Sequence, residues 1–149
     1  MLARAIAAFV ALPGVVAFAL PIWIGVSTDG GARHIAPALV PLCLGTFLLV
    51  WCVREFLISG RGTLAPWDPP QRLVTSGPYR VSRNPMYIAV VTVLVGWCVL
   101  WDSRPLIIYT VLFLFGFHLR VILFEEPWAA RQFGTQWQDY RAHVPRWVL

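Results

Sequence analysis

The stretch PMYIAVVTVLVGWCVLWDSRPLIIYTVLFLFGFHLRVILFEE (residues 85–126) contains two long apolar runs with only DSR between them. The runs, Pro85 to Trp101 and Pro105 to Phe124, each approach the ~20 residues that a helix needs to cross a bilayer. A connection this short predicts a tight helical hairpin. A buried hairpin of a soluble protein is the alternative, but neither run has the polar face that a solvent-exposed helix would present.

Two further apolar runs lie nearer the N-terminus, at about Ala5 to Val26 and Ile35 to Val53. The first also resembles a secretion signal, because the small residues Ala17 and Ala19 could form a cleavage site. The apolar run continues beyond this point, so we favour a retained span. Together the four runs predict an all-α integral membrane protein with about four transmembrane helices.

The composition of the 149-residue chain agrees with a membrane protein. Hydrophobic residues make up 58% and charged residues 13%, against about 25% charged in an ordinary soluble domain. The net charge of +5 comes from twelve arginines without any lysine, and these arginines do not form the basic face that nucleic acid would require. The three cysteines lie in apolar runs and form no CxxC, so we expect small buried residues and neither a disulfide nor a metal site.

The arginines between the apolar runs predict the orientation. If the N-terminus is cytoplasmic, nine arginines fall in the cytoplasm and only Arg33 and Arg104 outside, with Arg120 inside a span. The positive-inside rule therefore predicts an even number of spans with both termini in the cytoplasm. We expect a multi-pass protein of the bacterial inner membrane, with Glu125 and Glu126 on the cytoplasmic side.

The connection between the second and third runs, GRGTLAPWDPPQRLVTSGPYRVSRNP (residues 60–85), is longer than a simple connection needs. Loops of this length are usually functional or disordered, and its aromatic and apolar residues favour an ordered loop that packs on the protein. Its end, Asn84-Pro85, is typical of a helix start, with Asn as N-cap and Pro at the first helical position. The free N–H groups of that first turn predict a site for an anion such as a carboxylate.

The end of the fourth run brings several polar side chains together. At 100° per residue, His118 and Glu125 share one face of the helix, roughly 10 Å apart along the axis. Arg120 lies about 140° round from Glu125, so we expect no ion pair between these two residues. Arg120 should instead meet another helix, a ligand or the lipid headgroups. For His118, packing within the bundle is the alternative to ligand binding.

Four motifs occur in one order: LVTSGPYR (residues 73–80), RNPMY (83–87), EE (125–126) and FGTQWQDYRAHVPRW (133–147). With these motifs, the chain resembles the isoprenylcysteine carboxyl methyltransferase family, a branch of the membrane methyltransferases that includes the phospholipid N-methyltransferases. The resemblance covers residues 62–147. It implies that S-adenosylmethionine binds in the cytoplasmic half, between the third and fourth spans and the C-terminal segment.

The resemblance also implies which residues form the cofactor site. It assigns the cofactor to two segments, a tyrosine and the glutamate pair: Gln71, Arg72, Leu73, Val74, Tyr79, Arg83, Asn84, Pro85, Met86, Tyr87, Glu125 and Glu126. We add His118 because it shares the face of Glu125. Asn84 stands where the family usually has a histidine. The arginine that holds the substrate carboxylate in the eukaryotic enzymes corresponds to Val121, so we take its neighbour Arg120 as the candidate ligand of a substrate anion.

These observations predict a single membrane-embedded methyltransferase domain over residues 1–149, with two N-terminal spans in residues 1–60 and the cofactor-binding core in residues 62–147. We expect methyl transfer from S-adenosylmethionine to a lipid-like or isoprenoid-like acceptor, either a carboxylate or an amine. A carboxylate would need no general base, whereas an ammonium would first have to lose a proton. The expected partners are the lipid bilayer and this acceptor, and no nucleic acid.

Two other classes of membrane protein remain open. A small four-helix transporter would also have an intramembrane glutamate, although near the middle of a span. A non-catalytic subunit or haem protein could use His34 and His118, although these two histidines are predicted on opposite sides of the membrane.

Overall fold

A computed structural model of the chain describes residues 10–29, 31–61 and 70–148, and the regular structure within these ranges is helical. In chain order, the main helices are α1 (Leu20–Asp29), α2 (Ile35–Ile58), α3 (Pro85–Trp101), α4 (Arg104–Arg120), α5 (Glu126–Phe133) and α6 (Thr135–His143). The beginning of the first predicted span and residues 62–69 of the long loop lie outside the described residues. The all-helical class that the sequence predicts is confirmed for the described part.

A π-helical segment, Val10–Ala19, runs directly into α1. Side chains of other helices bond its backbone: Trp97 Nε1 donates to Ala17 O at 2.7 Å, and the Tyr109 hydroxyl donates to Val16 O at 2.8 Å. These bonds fasten the first helical unit to α3 and α4. The unit also approaches α3 closely at Gly25, where an added Cβ would lie 2.3 Å from the Trp101 ring.

Helices α2 and α3 pack most closely, because small residues lie at their contact. An added Cβ at Gly45 would lie 2.9 Å from the Ala89 carbonyl oxygen, and one at Gly96 would lie 2.7 Å from Leu42 Cγ. Small residues let helix backbones approach each other in membrane proteins, where van der Waals packing drives association. The buried side chains of Leu49 and Val93 fill the adjoining core.

Helix α3 coincides with the predicted third run, and a two-residue connection, Asp102 and Ser103, leads to α4. Asp102 ends α3 in the left-handed region with φ +50°. The predicted fourth run ends at Phe124, but the helical stretch that begins with α4 is longer. A π-helical turn, Val121–Glu125, connects α4 directly to α5. Pro127 cannot donate an α-helical bond to residue 123, and the π turn lies directly before this break.

Within the described ranges, two helices are long and apolar enough to cross a membrane: Ile35–Ile58 and the continuous helical stretch Arg104–Phe133. Pro13–Thr28 and α3 are apolar but shorter. Large apolar side chains point outward from both long helices, with Phe47 66% and Leu112 65% exposed. Exposed apolar surface on this scale is typical of a contact with lipid or another protein.

Candidate active site

A cavity of about 710 Å³ lies at the end of the bundle where α3 begins. Its volume is within the range of small-molecule and cofactor sites. Part of its lining is apolar, with Val16, Val90, Phe113 and Phe117. The charged and polar groups of the lining come from the GPY turn (the 3-10 helix Gly77–Arg80) and the segment before it, the start of α3, the end of α4 with the π turn that follows it, and α5 with α6: Arg72, Tyr79, Arg83, Asn84, Tyr87, Arg120, Glu125, Glu126, Arg131 and Tyr140.

This cavity brings together most of the residues that the sequence nominates. All of them line it except Gln71, Pro85 and His118. The Gln71 N–H donates to Gly60 O at 2.9 Å, and Pro85 opens α3. His118 stacks against Trp147, with the ring centroids 6.1 Å apart. The structure therefore gathers the two loop segments and the glutamate pair, while the roles of the individual residues stay predictions.

Glu126 is engaged by two arginines. Arg83 Nη1 lies 2.8 Å from Glu126 Oε1, and Arg146 binds both oxygens, through Nε at 2.8 Å and Nη2 at 2.9 Å. The hydrogen bond to Glu126 raises the pKa of Arg146. Burial lowers the pKa of Arg83, and the nearby Glu126 opposes this shift. A bidentate arginine plus a second arginine satisfies this carboxylate, so Glu126 anchors the C-terminal segment.

The start of α3 is fastened to the same C-terminal segment. The Arg83 N–H donates to Pro145 O at 2.9 Å, and the side chains of Ser82 and Asn84 donate to Arg146 O at 3.1 and 3.0 Å. Asn84 occupies the predicted N-cap position, but its side chain makes no capping bond. The predicted N-cap position is confirmed, whereas the Asn84 amide bonds the C-terminal segment and not the first turn. Within the described residues, the first turn of α3 thus has no bond from its N-cap side chain.

Glu125 has different neighbours from Glu126. The Tyr87 hydroxyl donates to Glu125 Oε1, and Arg120 Nε lies 2.8 Å from the same oxygen. The expectation that Arg120 and Glu125 do not pair is wrong. It assumed 100° per residue throughout, but Val121–Glu125 is a π-helical turn. Such a turn bonds residue i to residue i+5 and so brings side chains five apart closer to one face than 100° per residue would.

Two buried polar atoms in the cavity wall lack a hydrogen-bond partner among the described residues: the Tyr79 hydroxyl and Arg83 Nε. Burial raises the pKa of Tyr79 well above its usual value, so the hydroxyl stays protonated and can donate. A buried donor without a partner costs about 1–3 kcal/mol. Both atoms are therefore suited to a ligand that brings acceptors into the cavity.

Aromatic side chains complete the cavity wall. Tyr87, Phe117 and Phe113 form a row, with ring centroids 4.4 and 5.2 Å apart. The Arg83 guanidinium lies 5.5 Å from the Trp137 ring centroid. The sequence analysis did not nominate Phe113, Phe117 or Trp137. The four-residue spacing of the two phenylalanines, and the place of Trp137 inside the last motif, were the available signals.

Comparison with known proteins identifies a family for the chain. The profile of a protein family described as phospholipid methyltransferase matches residues 33–136. The match begins just before α2 and includes every residue that the sequence analysis nominated. No significant match was found among curated proteins or among solved structures.

Proposed function

The chain belongs to the phospholipid methyltransferase family, and we propose that it transfers a methyl group from S-adenosylmethionine to a lipid-like acceptor that resides in the membrane. Membership of this family identifies the chain as a methyltransferase, the class that the motifs predict. The donor, the acceptor and the closer similarity to isoprenylcysteine carboxyl methyltransferases are parts of the proposal.

The observation that carries the proposal is the cavity with its two unpaired buried donors. S-adenosylmethionine, when bound, supplies an electrophilic methyl group on a positively charged sulfur. Arg83 Nε and the uncapped first turn of α3 suit a carboxylate. Glu125 suits an ammonium or ribose hydroxyls, and the aromatic faces of Tyr87 and Trp137 suit a cation. The chemistry of the residues present therefore fits this cofactor.

The apolar part of the cavity lining supports a lipid-like acceptor. Val90, Phe113 and Phe117 offer a surface for a hydrocarbon chain, and Arg120, which pairs with Glu125, lines the same cavity. An arginine at that place suits an anionic group on the acceptor. We propose that these residues hold the acceptor in line with the donor and exclude water, since closeness and alignment supply much of the catalysis of a displacement. A carboxylate acceptor would need no base, whereas an amine would have to arrive deprotonated.

The membrane arrangement is part of the same proposal. We propose four spans, formed by the first helical unit, α2, α3 and α4, with α3 and α4 as a hairpin. Both termini would lie on the cytoplasmic side of a bacterial inner membrane. Residues 62–147 would form the catalytic core of a single domain, and residues 1–60 would complete the bundle. The outward apolar side chains of the long helices and the distribution of arginines support this arrangement.

Ligand binding by the purified protein in detergent tests the proposal. We expect calorimetry to detect micromolar binding of S-adenosylmethionine and S-adenosylhomocysteine. Glu125→Gln should weaken binding about ten- to hundredfold, because it removes a charge-assisted contact. Asp102→Asn is the matched control, since Asp102 lies at the opposite end of α3, and it should bind normally.

A methyl-transfer assay tests the acceptor. Membrane lipid extract incubated with protein and methyl-labelled S-adenosylmethionine should yield a labelled, organic-soluble product. Absence of heat with either cofactor ligand, together with absence of labelled lipid, would refute the proposal.

A further inference from the structure

A buried carboxylate near the end of α2 takes no part in the cavity wall. Glu55 is only 7% exposed, although it belongs to a long apolar helix. Ser76 Oγ donates to Glu55 Oε2 at 2.5 Å, and Ser59 Oγ donates to the same oxygen at 3.2 Å. Arg54, whose side chain is mostly exposed, approaches the other oxygen at 3.3 Å. A buried carboxylate with mainly neutral partners is costly, so its hydrogen bonds should serve a purpose.

Glu55 bonds the residue that directly precedes the GPY turn, the 3-10 helix Gly77–Arg80. Gly77 has φ +58°, and an added Cβ there would lie 3.0 Å from both Glu55 Cγ and Trp51 Nε1. The turn therefore rests against α2 at its backbone and is tied to α2 by the Ser76 side chain. A single carboxylate oxygen accepts both serine hydroxyls, which lie 3.0 Å apart.

The fastened turn places Tyr79 in the cavity wall. The ring of Tyr79 packs against Cys52 and Phe56 of α2, and its carbonyl oxygen accepts the Tyr140 hydroxyl at 2.6 Å. These contacts fix the ring, and its hydroxyl is one of the two buried atoms without a partner in the described part of the chain. The orientation of this hydroxyl thus depends on how firmly the turn is held on α2.

We propose that Glu55 is a positioning residue for the active site: through Ser76 it holds the GPY turn so that the Tyr79 hydroxyl faces the bound cofactor. The inference rests on the proposed function, because it takes the cavity as the cofactor site. A carboxylate serves here because it accepts several hydroxyl groups at once. An apolar residue would pack in its place but could not tie Ser76 to α2.

A double-mutant cycle tests the inference by calorimetry with S-adenosylhomocysteine. Ser76→Ala, Glu55→Gln and Tyr79→Phe should each weaken binding about three- to tenfold, the range of one hydrogen bond. If Glu55 and Ser76 act through Tyr79, the double variant Ser76→Ala/Tyr79→Phe should bind within about twofold of its weaker single variant. If the effects of the two substitutions multiply instead, the double variant would bind about ten- to hundredfold more weakly than the natural protein. That result would overturn the inference. So would unchanged binding by Ser76→Ala.

A matched control removes a hydroxyl that bonds only its own helix. Thr92 Oγ1 donates to Ile88 O at 2.7 Å, so Thr92→Val should leave binding unchanged. Hydrogen exchange gives a readout that needs no ligand. The amides of Tyr79 and Val81 bond Ser76 O and Pro78 O, and they should exchange at least about tenfold faster in Ser76→Ala and Glu55→Gln. If the natural protein binds no cofactor, the proposed function fails, while unchanged exchange in these variants would refute the role of Glu55 by itself.

Discussion

Glu125 and Glu126 are neighbours in the sequence but have different surroundings. Consecutive residues of a helix point in clearly different directions, so the two carboxylates meet different elements. Glu126 is mostly buried between Arg83 and Arg146, whereas Glu125 is more exposed and meets Tyr87 and Arg120. We infer that Glu126 fixes the C-terminal segment and that Glu125 remains available to a ligand.

Arg146→Ala should destabilise the protein because it removes the bidentate partner of Glu126. We expect a loss of about 1.5–3 kcal/mol in the free energy of unfolding, the range for hydrogen bonds to charged groups. Arg141→Ala is the control, since Arg141 is exposed on α6, and it should change stability by less than about 0.5 kcal/mol. Denaturant unfolding in detergent measures both. Equal effects of the two substitutions would contradict the anchoring role of Glu126.

Arg120→Ala should affect methyl transfer to the acceptor more than it affects cofactor binding. The Arg120–Glu125 pair is partly exposed, and such pairs contribute about 0–1 kcal/mol. We therefore expect the Kd of S-adenosylhomocysteine to change by less than about fivefold. Methyl transfer to lipid should fall by more than tenfold if Arg120 holds an anionic group of the acceptor. Loss of cofactor binding with normal transfer at saturating cofactor would show that this assignment is wrong.

The bounds of a helix were predictable where side-chain chemistry marks its ends. The Asn84-Pro85 start and the polar connection after Trp101 gave the bounds of α3 as the structure has them. The π turn Val121–Glu125 was not predictable, because its first four residues are apolar like those of the helix before it. The angular argument about Arg120 failed for this reason. The close contact of α2 and α3 also needed the structure, since it depends on which faces meet.

Two glycine substitutions test the helix packing. Gly45 lies against α3, where an added Cβ would be 2.8 Å from Val93 N, whereas no described atom lies within 4 Å of an added Cβ at Gly116. Gly45→Ala should cost about 1–3 kcal/mol through overpacking. Gly116→Ala should be neutral or stabilise the protein by up to about 1 kcal/mol, because alanine favours the helix. Unfolding in detergent compares them, and similar effects at both positions would contradict the close contact of α2 with α3.

Arginines lie at the two ends of α3. The Arg33 N–H donates to Leu100 O, so Arg33 lies beside the end of α3 and close to the start of α4. Arg83 and Arg146 lie at the beginning of α3, with the cavity. The sequence predicts this separation because the apolar runs divide the arginines. It could not predict that the tail folds back onto α3, since the bonds from Ser82 and Asn84 go to a backbone carbonyl.

Cysteine accessibility in intact cells tests which end faces the cytoplasm. The background variant would have its three native cysteines replaced, and single cysteines would be placed at Asp102 and Gln138, both exposed. Asp102 lies at the Arg33 end and Gln138 in α6, which contributes to the cavity. Because the arginine-rich end should be cytoplasmic, a membrane-impermeant maleimide should label Asp102→Cys at once. It should label Gln138→Cys only after the membrane is permeabilised.

Labelling of both positions from the same side would exclude an odd number of crossings between them. Labelling of Gln138→Cys in intact cells would contradict the proposed orientation. A cavity open to the cell exterior would have no supply of S-adenosylmethionine.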